Sequence, residues 1–300
     1  MHPNSIIGIK GIVPSTVEQI LFTADSIMRF PMHYSKLLSG FTVGSLFFEP
    51  STRTHLSFQS AVYKMDGSWM NYQHDYSSAK KGESLRDTIK TIENYCDIFI
   101  IRHPDKNSVE QCAEYTNLPV INAGDGDGEH PTQALLDLYT IKKHVSSTSF
   151  TIAFAGDAKH SRTIHSLILL LEKMNYSVKY VFITCPQLRP DIESLQLDES
   201  RCRFYDNFES IIGEIDVLYM TRLQKERHPQ YKDELYTIPI TDELIDLSKD
   251  DMIVLHPLPR NDEISPELDT NPKCKYFEQV RNGVFVRMAV LLYSLGLVCL

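Results

Sequence analysis

The sequence FFEPSTRTHLSF, residues 47–58, joins the end of a predicted β-strand to the start of a predicted α-helix. Pro50 fixes the turn between them, and Ser51 can cap the helix. The N-terminus of a helix offers unpaired backbone N–H groups and the positive end of the helix dipole, which together attract phosphate. Further donors at this junction come from Thr52, Arg53 and Thr54. The stretch therefore predicts an anion site where a strand meets a helix.

An ordinary helix cap is the alternative interpretation of this stretch, since a single Ser or Thr suffices for capping. Arg53 argues against it, because a cation in the first helical turn opposes the dipole and calls for a compensating anion. Glu49 could be that anion, or it could position a second arginine.

Strand-like and helix-like segments alternate along the chain. Short β-rich runs lie at residues 45–49, 98–102, 120–122, 150–155, 178–184, 216–220 and 252–256, and most are followed by helical periodicity. This order predicts an α/β protein with two doubly wound domains, each a mostly parallel sheet flanked by helices. Ser84, with Asp87 three residues later, and Ser161 both predict helix starts.

A Ser- and Thr-rich break at residues 141–150 suggests a domain boundary. We expect one domain at residues 1–140 and another at 141–280. A C-terminal helix at residues 281–300 is expected to pack back on the first domain.

Several arginines follow predicted strands. Ligands bind at the carboxyl ends of the strands in open α/β sheets, and Arg53, Arg102, Arg162 and Arg222 lie just after four of them. We therefore expect the active site in the crevice between the domains, where it would bind anions. A guanidinium can hold a carboxylate through two hydrogen bonds, so Arg162 and Arg222 together suggest a dicarboxylate. Surface salt bridges are the alternative for each arginine alone.

The segment GDGDGEHP, residues 124–131, resembles a calcium-binding loop, but Leu136 stands at the twelfth position, where such a loop has a glutamate. A tight glycine turn that presents His130 is the better interpretation. His130 could polarise a carbonyl oxygen while Gln133 holds an amide, and a structural histidine is the alternative. The chain has no P-loop, G-x-G-x-x-G or H-E-x-x-H motif, which disfavours the usual nucleotide and zinc sites.

The composition of the chain disfavours several classes of partner and binding site. The 300 residues include 30 Lys and Arg against 39 Asp and Glu, and the net charge of −9 disfavours nucleic acid and anionic membranes as partners. The six cysteines are scattered without metal-ligand spacing, so we expect reduced thiols, no metal site and a cytoplasmic location. No secretion signal is recognisable near the start, and the apolar tail at residues 288–300 is shorter than the ~20 residues that span a bilayer.

Seven motifs resemble, in order and spacing, the catalytic chain of the aspartate carbamoyltransferase family: FFEPSTRT, KKGESLRDT, IIRHP, NAGDGDGEHPTQALLDLYTI, GDAKHSRTIHSL, YMTRLQKER and VLHPLPRNDEI. The resemblance covers nearly the whole chain. The Ser-Thr-Arg-Thr and His-Pro-x-Gln elements are common to all carbamoyltransferases, so they indicate only carbamoyl phosphate. Aspartate is favoured over ornithine by Lys80 and Lys81, by Arg222 and Gln224, and by the Pro-Leu-Pro of residues 257–259 where ornithine enzymes typically have a cysteine.

The resemblance implies a reaction and a set of roles. Carbamoyl phosphate and L-aspartate would give N-carbamoyl-L-aspartate and phosphate, in de novo pyrimidine biosynthesis. Domain 1–140 would bind carbamoyl phosphate, and domain 141–280 would bind aspartate. The phosphate would contact Ser51, Thr52, Arg53, Thr54 and Arg102, the carbonyl would contact Thr54, Arg102 and His130, and the carbamoyl nitrogen would contact Gln133 and the backbone carbonyls of Pro257 and Leu258. The aspartate site would comprise Lys81, Arg162, Arg222 and Gln224.

The resemblance also implies an assembly. Ser77 and Lys81 would come from the neighbouring subunit of a homotrimer with shared active sites, and Glu49 would bridge Arg162 and Arg227 when the domains close. A regulatory subunit is a further candidate partner. Neither a metal nor an organic cofactor is required, and the departing phosphate would accept the proton of the amine.

Some positions depart from the family pattern. His160 and Ser161 replace a Tyr-Gly pair that is frequent in bacterial relatives, which puts cooperativity in doubt. Asp127 and Glu129 add negative charge beside His130 without an evident purpose. The alternatives are a carbamoyltransferase for another amino acid such as ornithine, a catalytically silent assembly subunit, and a dinucleotide-binding oxidoreductase, which the absent glycine motif disfavours.

Overall fold

The computed structural model describes residues 1–73, 78–223 and 235–298. The chain forms two compact units, of which the first comprises Met1–Leu136 and Arg281–Leu300 and the second comprises Asp137–Val280. Each unit contains one parallel β-sheet flanked by helices, which confirms the predicted α/β fold. Within the described ranges, no helix is both long and apolar enough to cross a membrane.

The first unit is built on a four-stranded sheet. Its strands are β1 (Thr42–Phe47), β2 (Ser68–Gln73), β3 (Ile98–His103) and β4 (Val120–Asp125), and its helices are α1 (Pro14–Arg29), α2 (Pro31–Tyr34), α3 (Thr52–Lys64), α4 (Leu85–Ile92) and α5 (Ser108–Glu114). Helices α6 (Pro131–His144) and α9 (Tyr276–Ser294) each contribute residues to both units. The strand order is β2-β1-β3-β4, and all neighbours are parallel.

Local sequence explains how these elements begin and pack. Ser84 caps α4 as predicted, because its hydroxyl accepts a hydrogen bond from the N–H of Asp87 at 3.1 Å. Residues 98–101 of β3 are fully buried, which is typical of a central parallel strand covered on both faces. Arg287 of α9 donates to the hydroxyl of Ser57 at 3.0 Å and lies over the ring of Phe58, so α9 is held against α3.

The second unit is built on a five-stranded sheet. Its strands are β5 (Ser149–Ala155), β6 (Ser177–Ile183), β7 (Cys202–Tyr205), β8 (Val217–Met220) and β9 (Ile253–Leu255), and its own helices are α7 (Arg162–Lys173) and α8 (Asp242–Asp246). The order is β7-β6-β5-β8-β9, again with parallel neighbours. One face of the sheet packs on a buried cluster that includes Phe208, Ile212 and Tyr276.

All seven predicted strands are present, and their ends differ from the predicted ones by three residues at most. Strands β2 and β7, which lie at the edges of the two sheets, were not predicted. Their side chains are mostly exposed or half-buried, so neither strand has the apolar run by which a buried strand is recognised. Polar edge strands are common because they discourage pairing with another chain.

Gly156, directly after β5, lies where three strand ends approach one another. Its φ is 112°, and a Cβ at this position would lie 2.1 Å from the carbonyl oxygen of Thr221 after β8. The carbonyl of Gly156 accepts from the hydroxyl of Thr184 after β6 at 2.6 Å. Because both the backbone conformation and the space exclude a side chain, only glycine fits here.

We expect Gly156→Ala to lower the free energy of unfolding by more than about 2 kcal/mol, because the variant combines a strained φ with a backbone clash. Urea denaturation followed by circular dichroism measures this change. The matched control is Gly213→Ala, where the new Cβ would have its nearest neighbour at 3.7 Å, and we expect it to stay within about 0.5 kcal/mol of the original protein. Equal losses in the two variants would contradict the packing argument.

Candidate active site

The predicted phosphate-binding stretch lies where the strand order of the first sheet reverses. β1 pairs with β2 on one side and with β3 on the other, and ligands bind at such positions in open α/β sheets. Ser51 is the N-cap of α3, but within this fully described helix its hydroxyl accepts no capping hydrogen bond. The predicted capping role of Ser51 is therefore wrong, and its hydroxyl is available to a ligand. Thr54 is buried, whereas Thr52 and Arg53 are exposed.

Arg102 lies beside this stretch, because it pairs in register with Phe47 at the end of β1. Its Nε is 2.7 Å from Oε1 of Glu49, and its Nη1 donates to the carbonyl of Ala123 at 3.3 Å. Ala123 lies where the pairing of β4 with β3 shifts register, and such irregularities commonly redirect groups next to active sites. Glu49 thus positions a second arginine, which is one of the two roles considered for it.

The glycine-rich loop before α6 is organised by the side chain of Asp125. Its Oδ1 accepts from the N–H of Glu129 at 2.9 Å, and its Oδ2 accepts from the N–H of Asn107 at 3.1 Å. Gly126 has a φ of 49°, and a Cβ there would lie 2.5 Å from the carbonyl oxygen of Pro104. Asp125 and Gly126 are therefore required for the loop to close, which fits the predicted glycine turn.

His130 and Gln133 lie at the start of α6. The carbonyl of His130 accepts from the N–H groups of Gln133 at 3.0 Å and Ala134 at 3.1 Å, so the helix begins directly after His130. Pro131 suits the first helical position because it has no N–H to satisfy. The side chains of His130 and Gln133 are buried. They lie at a helix N-terminus, where the helix dipole and the unpaired backbone N–H groups favour a small anionic ligand.

The structure explains Glu129, whose charge had no evident purpose in the sequence. Its Oε2 accepts from the backbone N–H of Ile9 at 2.6 Å. Gly8 is so close that a Cβ there would lie 2.7 Å from the carboxylate. Glu129 therefore ties the N-terminal segment to the loop beside His130. Asp127 is exposed, and nothing in the structure explains it.

Arg162 and Arg222 of the second unit also lie at a reversal of strand order. β5 pairs with β6 on one side and with β8 on the other. Arg162 is the first residue of α7, which follows β5, and Arg222 comes two residues after the end of β8. Both side chains are half-buried. The second unit thus places two guanidinium groups after neighbouring strands, at the position where its sheet is expected to bind a ligand.

The turn between β5 and α7 contains the two residues that depart from the family pattern. Ser161 is the N-cap of α7, which confirms the predicted helix start, and its hydroxyl lies 3.0 Å from that of Thr163. Nδ1 of His160 lies 3.0 Å from Oδ1 of Asp157, whose side chain is fully buried. The two residues therefore stabilise the turn that leads to Arg162.

Pro257 and Leu258 follow β9 and are held by the ring of His256. The N–H of Leu258 donates to Nδ1 of His256 at 2.8 Å, and Nε2 of His256 lies 2.9 Å from Oε1 of Glu263. Burial favours a raised pKa for the Glu263 carboxyl, but its hydrogen bonds to His256 and to the N–H of Asn261 outweigh burial and hold this pKa below the usual value. Leu258 has a φ of 56°, and the Leu258–Pro259 peptide bond is cis.

Arg260 anchors the far end of this segment. Its Nη2 donates to Oδ2 of Asp269 at 2.8 Å, and its Nη1 also contacts Asp269 and the hydroxyl of Tyr276. The hydroxyl of Tyr276 donates to the same carboxylate. The Arg260 guanidinium, with a smaller contribution from Tyr276, lowers the pKa of Asp269 to about 2. The backbone that carries Pro257 and Leu258 is therefore held on both sides by buried or partly buried polar groups.

The remaining predicted site residues are described only in part. Lys80 and Lys81 lie in a short 3-10 turn, Ser78–Lys81, and both are exposed. Ser77, Gln224 and Arg227 lie outside the described residues. Their predicted roles therefore stay predictions.

Two family models match the chain and together cover nearly all of it. "Aspartate/ornithine carbamoyltransferase, carbamoyl-P binding domain" matches residues 4–143, and "Aspartate/ornithine carbamoyltransferase, Asp/Orn binding domain" matches residues 148–294. The chain belongs to the aspartate/ornithine carbamoyltransferase family.

Individual relatives refine this result. The aspartate carbamoyltransferase catalytic subunit of Methanosarcina acetivorans is 41% identical over an alignment of 302 positions, which covers 98% of this chain and 97% of the relative. Two crystal structures of aspartate transcarbamoylase from Trypanosoma cruzi, each 37% identical and with TM-scores of 0.89, cover 98% of this chain and 95% or 96% of theirs. One was solved with carbamoyl phosphate and aspartate, the other with carbamoyl aspartate and phosphate. The resemblance to aspartate carbamoyltransferase is confirmed.

The residues that hold the loop after β9 were not predicted from the sequence. His256, Glu263, Arg260 and Asp269 bind one another or the backbone, and no role was predicted for them, although the first three lie within the motif VLHPLPRNDEI. One signal was present in the sequence: two polar residues, His256 and Glu263, lie on either side of the Pro-rich segment of residues 257–259. Buried polar groups are nearly always hydrogen-bonded, so their pairing could have been proposed, but the residues that would prove buried could not.

We expect the Asp269 carboxylate to stabilise the fold only above the pH at which it is protonated. Its folded-state pKa of about 2 lies below the ordinary value of 3.8, so the stabilisation is complete above about pH 5 and falls as the pH drops toward 2. The difference in unfolding free energy between the original protein and Asp269→Asn should therefore shrink over that range. Urea denaturation at several pH values measures it.

Tyr276→Phe is the matched variant for this experiment, because it removes one donor and keeps the Arg260 ion pair. We expect it to retain most of the pH dependence. A difference between the original protein and Asp269→Asn that stays constant from pH 6 to pH 3 would contradict the assigned pKa.

Proposed function

We propose that this protein catalyses carbamoyl transfer from carbamoyl phosphate to the amino group of L-aspartate, giving N-carbamoyl-L-aspartate and phosphate. The observation that carries the proposal is full-length likeness to aspartate transcarbamoylases whose structures contain both substrates or carbamoyl aspartate with phosphate. Anion-binding side chains at the strand-order reversal of each sheet support it. The reaction would serve de novo pyrimidine biosynthesis in the cytoplasm.

The first unit binds carbamoyl phosphate in this proposal. The phosphate takes hydrogen bonds from the start of α3 and from Arg102, since a helix N-terminus and a guanidinium both favour the dianion. The buried positions of Thr54 and His130 suit donors to the carbonyl oxygen, and Gln133 suits the carbamoyl nitrogen. The residues assigned to carbamoyl phosphate are Ser51, Thr52, Arg53, Thr54, Arg102, His130 and Gln133, with the backbone carbonyls of Pro257 and Leu258 from the second unit.

The second unit binds aspartate in this proposal. Arg162 and Arg222 take its two carboxylates, because each guanidinium can form a bidentate pair. Gln224 assists them. Lys81, together with Ser77, reaches the site from the neighbouring subunit of a homotrimer, and the exposed position of Lys81 agrees with a contact outside its own chain.

The chemistry follows from these placements. The unprotonated amine of aspartate attacks the carbamoyl carbon, and the oxygen of the tetrahedral intermediate takes hydrogen bonds from Thr54, Arg102 and His130. The carbon–oxygen bond to phosphate then breaks, and the departing phosphate accepts the proton of the amine. Holding the two reactants in contact contributes much of the acceleration, since oriented reactants gain roughly 7–11 kcal/mol. Glu49 moves from Arg102 to bridge Arg162 and Arg227 once both substrates are bound.

The first test is turnover by the purified protein with carbamoyl phosphate. We expect L-aspartate to yield carbamoyl aspartate and phosphate in equal amounts, and L-ornithine to yield no product, because a cationic side chain does not pair with Arg162 and Arg222. Colorimetric assays for ureido groups and phosphate measure both products. Turnover of ornithine but not aspartate would overturn the choice of substrate, and a folded protein that turns over neither would favour the silent assembly subunit.

The second test addresses shared active sites. Arg53→Ala and Lys81→Ala chains are each expected to be inactive as homotrimers. When they are mixed under conditions that exchange subunits, about one quarter of the sites should combine an intact Arg53 with an intact Lys81, so activity should return to about that fraction. Mixing each variant with itself is the control. No recovery after verified exchange would show that Lys81 acts within its own chain.

A further inference from the structure

We propose that His256 is a positioning residue for the reaction, which acts by holding the backbone of Leu258 through the unprotonated Nδ1 of its ring. The inference rests on the proposed function, which assigns the carbonyls of Pro257 and Leu258 to the carbamoyl nitrogen. His256 is almost fully buried and acts on the substrate only through this backbone.

The hydrogen bonds of His256 define its protonation state. The backbone N–H of Leu258 can only donate, and it points at Nδ1 from 2.8 Å. Nδ1 must therefore accept, and the single proton of the neutral ring lies on Nε2, from which it is donated to Glu263 at 2.9 Å. A carboxylate partner stabilises this tautomer, in agreement with the lowered pKa of Glu263.

The main chain of His256 is held as firmly as its ring. Its N–H donates to Oε1 of Gln279 at 2.9 Å, and Nε2 of Gln279 donates to Oδ1 of Asp137 at 2.6 Å. The other oxygen of Asp137 accepts from the hydroxyl of Tyr219 at 2.8 Å. All of these side chains are at most 2% exposed. Buried polar groups joined in this way favour one arrangement, since any other leaves a buried group without its hydrogen bond.

The backbone of Leu258 adopts a conformation that is unfavourable unless neighbouring groups hold it. Its φ of 56° lies in the left-handed region, which a leucine rarely adopts, and such residues keep that conformation only where their surroundings hold them. The bond from the N–H of Leu258 to His256 provides this hold. If it is lost, Leu258 can relax toward negative φ, which rotates the neighbouring carbonyls away from the carbamoyl nitrogen.

Two amide substitutions distinguish the effects of the two hydrogen bonds that the His256 ring makes. In His256→Asn, the side-chain oxygen takes the place of Nδ1 and can accept from Leu258, but the side chain is too short to reach Glu263. In His256→Gln, the longer amide reaches Glu263, but no acceptor remains at the place of Nδ1. His256→Ala removes both bonds and is the reference for complete loss.

We expect His256→Gln and His256→Ala to raise the KM for carbamoyl phosphate by about tenfold and to lower kcat by about 10- to 100-fold, as misplaced positioning groups do. His256→Asn should restore both constants to within about threefold of the original. A purely structural role would reduce the amount of folded enzyme and leave the KM unchanged. Urea denaturation and active-site titration give the folded fraction of each variant.

Two kinetic outcomes would overturn the inference. The first is equal KM and kcat values for the Asn and Gln variants, and the second is higher activity in the Gln variant, which would assign the effect to Glu263. Nitrogen-15 NMR of histidine-labelled protein tests it without turnover, since it should show a His256 ring protonated at Nε2 alone, and a proton on Nδ1 would refute it. An original protein that does not carbamoylate aspartate would instead count against the proposed function.

Discussion

Parallel pairing of the first strand of each sheet with neighbours on both sides is the constraint on which the rest of the molecule depends. β1 pairs with β2 and β3, and β5 pairs with β6 and β8. In a parallel sheet all strands end at the same edge, so residues that are distant in sequence emerge side by side. Arg102 lies beside the end of β1 for this reason, and Arg162 and Arg222 follow adjacent strands of the second sheet.

Several acidic residues of the chain stabilise the segments that carry the predicted site residues. A net charge of −9 is unfavourable for an anion site, yet several carboxylates near the predicted site residues of each unit are bound to backbone N–H groups or to arginines. Asp125 and Glu129 hold the loop before His130, Glu49 holds Arg102, and Asp269 holds Arg260. Asp125, Glu129 and Asp269 accept hydrogen bonds, each contributing about 1.5–3 kcal/mol to local stability, whereas Glu49 holds Arg102 as an ion pair.

Sequence patterns predicted the buried strands of the fold, whereas the site residues that they indicated stay predictions. The seven apolar runs correspond to the seven strands with buried side chains, and the start of α4 was predicted from Ser84 and Asp87. The edge strands β2 and β7 were not predicted, because half-exposed strands carry no apolar run. The pairing of Glu49 with Arg102 was one of two possibilities in the sequence, because a carboxylate can bind any nearby cation and only the register of β1 against β3 decides between them. The full set of hydrogen bonds around His256 was not predictable, because the sequence does not show which polar residues are buried: Glu263 lies 7 positions away, whereas Gln279, which connects to Asp137, lies 23 positions away.

The first unit is discontinuous in sequence: residues 1–136 are completed only by residues 281–298, which include most of α9. Arg287 supplies both a hydrogen bond and a ring contact to α3, the helix that begins at the candidate phosphate site. During synthesis, the ribosome therefore releases the whole second unit before the first has its last helix. The second unit can reach its native fold first, while the segment that carries Arg53 still lacks its contacts with residues 281–298.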